Sequence, residues 1–419
     1  MNTDNKKFSG SGICILLFLY FTVMNSPLSG QQMVTLDEAI GIALKYNPGY
    51  KASAMMNDAA QKRIRTAGFS ESTAFTVELG QINSAFFDNA IGIEQGFSLP
   101  AVYSSRKKLM QANARLSDIN LKISGYTLRQ QVELYFLNYQ WYQARKKLML
   151  EQEGIYAEML RKAEARFAQG ESDRLELTGI RQKQMNLQSK LRLLEKELEW
   201  TLAEFNVLLN GGSTYIPVED TFKADRSSLI TAFGDVSNSN IVAAAEHEKS
   251  LAESSYNLSK TSVLPSFTIG YKNISFRGVG ADEKLYNASD RFHNAWVGIN
   301  FPVFQKAYKA ETEARKSELQ AKEAEYQKVF DQQQVTARRT FDIYREQLMQ
   351  LEEFEISQLA NAEAIRDLAE KRFANGSINY IEWSVLMDEV FAIRSEYLDR
   401  IYNLNLSAIQ LRFIHQKNN

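Results

Sequence analysis

Two rhythms alternate along the chain. Between residues 75 and 99 apolar side chains fall on every second position: Phe75, Val77 and Leu79, then Ile91, Ile93, Phe97 and Leu99, with Gln95 among the latter. That is the period of a strand. A polar loop holding Asn83, Asp88 and Asn89 separates the runs and predicts a hairpin over 73–99. The segments SFTIGYKNISF and HNAWVGINFPV predict a second hairpin over 265–303, around the longer loop RGVGADEKLYNASDR. Each hairpin ends at a proline, Pro100 or Pro302, and there the period changes to three and four. Residues 102–210 and 303–419 contain no proline, and heptad spacing is explicit in Leu109, Ala112, Leu116, Ile119 and Ile123. It recurs in Leu187, Leu191, Leu194 and Leu198, and in Leu386, Val390, Ile393 and Tyr397. Small residues at Ala307, Ala310, Ala314, Ser317, Ala321 and Ala324 keep the same rhythm, which predicts a coiled-coil core with closely approaching helices. A helix from Pro100 to Gly170 would be roughly 105 Å long at 1.5 Å per residue.

The chain says these things twice. AEARFAQGESDRLE at 163–176 and AEKRFANGSINYIE at 369–382 are identical at seven of fourteen positions. Pro48 matches Asn240 and Phe75 matches Phe267 at an offset of 192, Pro100 matches Pro302 at 202, and Gly170 matches Gly376 at 206. A duplication with two insertions behaves this way. The ten-residue step falls between the paired strand segments, and the four-residue step is expected inside a helix, as a stutter of about one turn. The first repeat covers 31–225, with long helices over 102–210; the second covers 226–419, with long helices over 304–419. Each opens with one helical stretch, the first marked by the capping box of Thr35 and Glu38. In the echoed phrase, glycine can take a left-handed C-cap conformation, and Ser172 or Ser377 with Asp173 or Asn379 can cap the next helix. Each phrase therefore predicts a turn between antiparallel helices.

Composition narrows the function. With 49 basic and 50 acidic residues the chain has a net charge of −1, which excludes a general nucleic-acid surface. The histidines, His247, His293 and His415, are scattered; Met55 and Met56 are too few for copper ligation, and His293 marks a strand end. No nucleophile grouping, phosphate loop or metal-ligand spacing is present, so neither an enzyme nor a cofactor is expected. Residues 1–30 read as a signal peptide, with Lys6 and Lys7, a twelve-residue apolar run over 13–24, and small residues before Gln31. The single cysteine, Cys14, lies within it and is not placed for lipidation. No other stretch reaches about 18 apolar residues, so a membrane could be crossed only by strands. Four strands cannot close a barrel, which starts at about eight, and open edges cannot face lipid. Three copies would supply twelve strands above one helical tube.

This arrangement resembles the TolC-like outer-membrane efflux proteins. The resemblance covers essentially the whole mature chain, through TLDEAIGIALKYNP, GIEQGFSLPAVYSSRKKL, VGINFPVFQ and both RFA turns, at Arg166 and Arg372. The FSLP strand end followed by a basic helix start is most similar to members serving heavy-metal or cation efflux pumps. The resemblance implies a mainly α fold with a small β part: a long antiparallel coiled-coil tunnel and four strands per chain in a shared 12-stranded outer-membrane β-barrel of a homotrimer. It implies a Gram-negative outer-membrane location with a periplasmic tunnel. It also implies a periplasmic adaptor (membrane fusion) protein and an inner-membrane resistance-nodulation-division type pump as partners, and passage of small molecules or metal ions to the exterior. Many relatives carry a lipidated N-terminal cysteine; without it, anchoring would rest on the barrel and its outer-membrane lipid.

On the same resemblance, Arg166, Gly170, Arg372 and Gly376 belong to periplasmic tips that meet the adaptor. Glu382, six positions after the second glycine, would join an acidic ring at the closed entrance, with Glu176 as its first-repeat counterpart on the flanking helix pair. The relatives' second acidic position is Val385 here, which thins the ring. From the residues alone, Glu382 is equally a solvated helix-surface glutamate. Arg166 and Arg372 can be surface charges or snorkelling side chains, and Phe167 and Phe373 are expected as packing anchors. The rival reading is a secreted coiled-coil scaffold or filament without a pore. It accounts for heptads and repeat but not for two proline-terminated hairpins.

Overall fold

The computed structural model describes residues 31–69, 71–170, 174–218, 222–226, 236 and 239–414; residues 1–30, where a signal peptide is expected, and Ser172, Asp173 and His415 lie outside them. A short strand, β1 (Gln32–Val34), leads to Thr35, which caps α1 (Leu36–Tyr46) in the expected capping box with Glu38. The opening stretch is two helices instead of one. Asn47 precedes a proline, a position that disfavours helical backbone, and it sits at φ −58°, ψ 125°. Its side chain accepts from the Tyr50 amide at 3.1 Å and starts α2 (Pro48–Arg63) with the proline in the first turn.

Next come β2 (Ala74–Gly80) and β3 (Asp88–Ser98), then α3 (Pro100–Ala168), α4 (Arg174–Leu209) and β4 (Tyr215–Pro217). Leu99, expected to end the strand, is the N-cap of α3. The second half runs through α5 (Asn240–Ser259), β5 (Ser266–Ser275), a ribbon of β6 (Gly278–Val279) and β7 (Leu285–Tyr286), and β8 (Arg291–Asn300). It continues with α6 (Lys306–Phe354), a π-helical turn (Glu355–Leu359), α7 (Ala360–Ala374) and α8 (Tyr380–Ile414).

The strands of both halves join in one antiparallel sheet of order β2-β3-β5-β8. Ile93 lies opposite Phe75 and Tyr271, and Ile269 opposite Gln95 and Val297, so one face carries most of the apolar side chains. Phe75, Val77, Ile93, Ile269, Val297 and Ile299 are all exposed on it. The other face is mixed: Thr76, Glu78, Gly92, Glu94, Gly270 and Lys272 lie there beside Ile274, Phe292 and Trp296, with Lys272 bonded to Glu78 at 2.8 Å. Trp296 covers Gly270 so closely that a Cβ there would collide with the indole. Among the described residues, β2 and β8 each have one side without a partner strand.

Below the sheet the helices stand side by side. Near the strands the order is α2, α3, α5, α6; towards the far turns it is α4, α3, α8, α6. Helix α3 runs unbroken for 69 residues, roughly 100 Å. The second leg, 306–374, has the same length, so the four-residue step lies in the non-helical stretch 302–305 ahead of the leg and not inside it. Proline accounts for this, because its missing N–H and ring favour a helix start or a break.

Two expected core stripes differ. On α8 the buried positions include Trp383, Met387, Val390, Phe391, Ile401 and Leu404, and Leu386 is exposed. The small residues from Ala307 to Ala324 face outward, unpacked within one chain. The leucines 187, 191, 194 and 198 are buried as the heptad requires. The parallel pairing of β1 with β4 ties the first described residues to the segment between the halves. It closes over a core that includes Ile40, Val132, Phe136, Phe205 and Leu209.

Candidate functional site

The two turns at the far end come from the echoed phrase. After α3, the Gly170 amide donates to the Phe167 carbonyl at 3.0 Å and Gly170 takes φ +77°. After α7, Gly376 takes φ +69°; its amide donates to the Phe373 carbonyl at 3.1 Å and the Ser377 amide to the Arg372 carbonyl at 2.8 Å, a Schellman cap. A Cβ at either glycine would meet nothing within 4 Å. Glycine is thus required by backbone conformation alone.

Asn379, not Ser377, caps α8. Its side chain accepts from the Glu382 amide at 2.9 Å, and the Glu382 carboxylate accepts from the Asn379 amide at 3.0 Å. Glu382 is therefore a capping-box residue on an exposed first helical turn, where the helix dipole also favours its charge. Its counterpart behaves differently. The Glu176 side chain is only 16% exposed and lies 3.6 Å from Arg166. Both line a cleft of about 310 Å³ with Met159, Ala163, Phe373 and Tyr380, so residues of the two turns share one hollow. Arg372 points to solvent, and Phe373 is an anchor, its ring tilted against that of Trp383 at 5.4 Å. Phe167 is 42% exposed and anchors less.

A polar seam between α3, α4 and α8 lies one to two turns above this cleft. The Tyr156 hydroxyl donates to Asp388, and Lys183 donates to the same carboxylate at 2.5 Å and to Ser384 at 3.1 Å. Arg394 forms a bidentate pair with Glu151 at 2.6 and 2.9 Å, and this bonding holds the Glu151 carboxyl below its usual range. Burial pushes the Tyr156 and Tyr380 phenols up. Sequence reading missed the seam because its partners are 201 to 243 residues apart. No local spacing signals such pairs. Among the described residues no group of His, Cys, Asp or Glu could hold a metal ion, and no helix is long and apolar enough to cross a membrane.

Residues 236–415 match the family model described as outer membrane efflux protein. A comparison with curated proteins finds no match. Solved structures share the fold across nearly the whole chain. CusC, described as forming a transmembrane channel, superposes with a TM-score of 0.78 at 17% identity, over 92% of this chain and 93% of that one. A membrane protein from Pseudomonas aeruginosa gives 0.77 at 13% identity, over 90% and 92%. The outer membrane protein VceC from Vibrio cholerae gives 0.76 at 11% identity, over 90% and 95%.

Proposed function

We propose that the chain is the outer-membrane channel of a tripartite efflux system. It works as a homotrimer that receives small molecules or metal ions from a periplasmic adaptor and an inner-membrane pump. The observation that carries this reading is a sheet with one exposed apolar face and two open edges, standing on helices roughly 100 Å long. Such a face suits lipid, and such edges need partner strands. The likeness to CusC and VceC and the family match over the second half support it.

Assembly has a natural seam in both layers. Strands β2 and β8 end the sheet, and α2 with α4 on one side and α6 on the other end the helix row. Alternating directions let β8 of one copy pair antiparallel with β2 of the next. The exposed small stripe of α6 then faces α2, whose Met55 and Met56 are exposed. Lower down, Val335 and Met349 of α6 and Ile356 of the π-helical turn face Leu193, Trp200 and Val207 of α4. A pore-free scaffold has no use for the apolar sheet face, which in water would drive aggregation.

The turns at Gly170 and Gly376 are the adaptor-docking tips on this reading. Valine at both glycines should strain the left-handed caps by about 1–2 kcal/mol each, leaving trimers in the membrane but reducing adaptor capture in pull-downs and export in cells. Normal export by the double variant would remove the tips from docking.

Glu382 supplies the entrance charge. Three copies near the axis would attract cations, so purified protein in planar bilayers should conduct with cation preference. Glu382→Gln should lower that preference while preserving the cap, since glutamine also serves there. Glu176→Gln, facing Arg166 instead, should change selectivity less. Absence of conductance from inserted protein refutes the channel; unchanged selectivity in both variants moves the constriction elsewhere.

A further inference from the structure

The outward sheet face carries one cation at its end remote from the helices. Arg291, the first residue of β8, pairs with Ser275 and lies on the same face as Ile91, Ile93, Ile269 and Val297. On the efflux-channel reading, on which this inference rests, that end of the lipid-facing band meets the outer-leaflet headgroups. Neutral groups hold the guanidinium. Its Nε donates to Asn273 Oδ1 at 2.5 Å, Nη1 to Asn89 Oδ1 at 2.5 Å, and Nη2 to the Asn273 carbonyl at 3.4 Å. Ser275 lies beneath it, 1% exposed, bonded to the Asn89 backbone. Among the described residues no carboxylate pairs with Arg291, whereas the cation on the other face, Lys272, is paired with Glu78.

A fixed, half-buried positive charge beside an apolar face is costly unless an anion meets it. Three of the five guanidinium N–H groups are used, leaving one on each of Nη1 and Nη2, a pair suited to two oxygens of a phosphate. His293, the next outward residue on β8, is bonded to the Tyr271 hydroxyl at 2.5 Å and stacked on that ring 6.0 Å away, giving the site a flat wall. We propose that Arg291, held by Asn89 and Asn273, binds the phosphate of an anionic lipid of the outer leaflet. Three such sites would ring the trimer.

The test is native mass spectrometry of the detergent-purified trimer after incubation with bisphosphoryl lipid A or its dephosphorylated form, with inorganic phosphate as a separate arm. Selective retention of the phosphorylated lipid is expected, up to three per trimer, with at least tenfold less retained by Arg291→Gln. Arg277→Gln, a loop cation stacked on Phe86, should retain as the parent does. Equal retention of both lipids by the parent overturns the proposal without any variant. So does unchanged retention by Arg291→Gln, or retention abolished by inorganic phosphate, which would make the site one for free anion. Trimer mass and membrane insertion are read on the same samples. A trimer that inserts but shows no phosphate selectivity sinks this inference alone, and a chain that does not insert sinks the channel reading with it.

Discussion

If the chain assembles as the proposed trimer, Trp200→Glu is expected to dissolve it into single chains. Trp200 is 61% exposed on α4, in line with Leu193 and Val207 at seven-residue spacing, and the described residues leave most of it uncovered. Covering a large side chain stabilises by about 2–3 kcal/mol, and a buried carboxylate without a partner costs several more. A closed ring of three copies repeats the change at each seam, so the loss multiplies. Light scattering in detergent should fall from three chains per particle to one, with helical circular dichroism unchanged. Leu198→Glu is the contrasting variant. Leu198 is packed inside the chain, so that substitution should reduce helix content itself. A Trp200→Glu protein that stays trimeric would show that the α4 stripe is not the seam.

Asp388→Ala is expected to loosen α4 and α3 from α8 and, on the efflux-channel reading, to raise open probability. The substitution removes the acceptor shared by Tyr156 and Lys183. Breaking one member of a buried pair costs about 3–5 kcal/mol, but Lys183 and Asp388 are 33% and 45% exposed, so solvent screening reduces this to about 1–2 kcal/mol. Faster hydrogen exchange around Tyr156 and Lys183, with more frequent openings in bilayers, is the expected readout; unchanged exchange would make the seam incidental.

Acid and base should act on the same seam with opposite signs. The Glu151 carboxyl is held low by Arg394, so its contribution is present above the ordinary value near 4.3 and lost as pH falls through the lower folded value. The Tyr156 and Tyr380 phenols are raised by burial, so their contribution is complete below about pH 10 and lost as pH rises through the folded values. Protection from exchange should therefore be flat between about pH 5 and 10 and fall on both sides.

The turns were legible in the sequence because their cause is local. A glycine after a helical run followed by a capping residue dictates the left-handed caps seen at Gly170 and Gly376. The capping spacing of Asn379 and Glu382, three residues apart, is local in the same way. The hairpins followed from alternation, but alternation is silent on neighbours, so the pairing of β3 with β5 across the two halves came only from the fold.

The amino-acid sequence by itself determined the duplication, the strand and helix periods, the proline boundaries and the glycine turns, because each is set by backbone preferences over a few residues. Tertiary structure decided which stripes are core and which are left open. Leu198 and Trp200 are two residues apart on the same helix, and only the position of α3 makes one interior and leaves the other exposed. It also decided that Glu176 turns inward to Arg166 while Glu382 closes a cap, and that Asp388 meets Tyr156 across 232 residues of chain. Periodicity says that a side chain has a preferred face; what lies opposite that face depends on how distant segments come together.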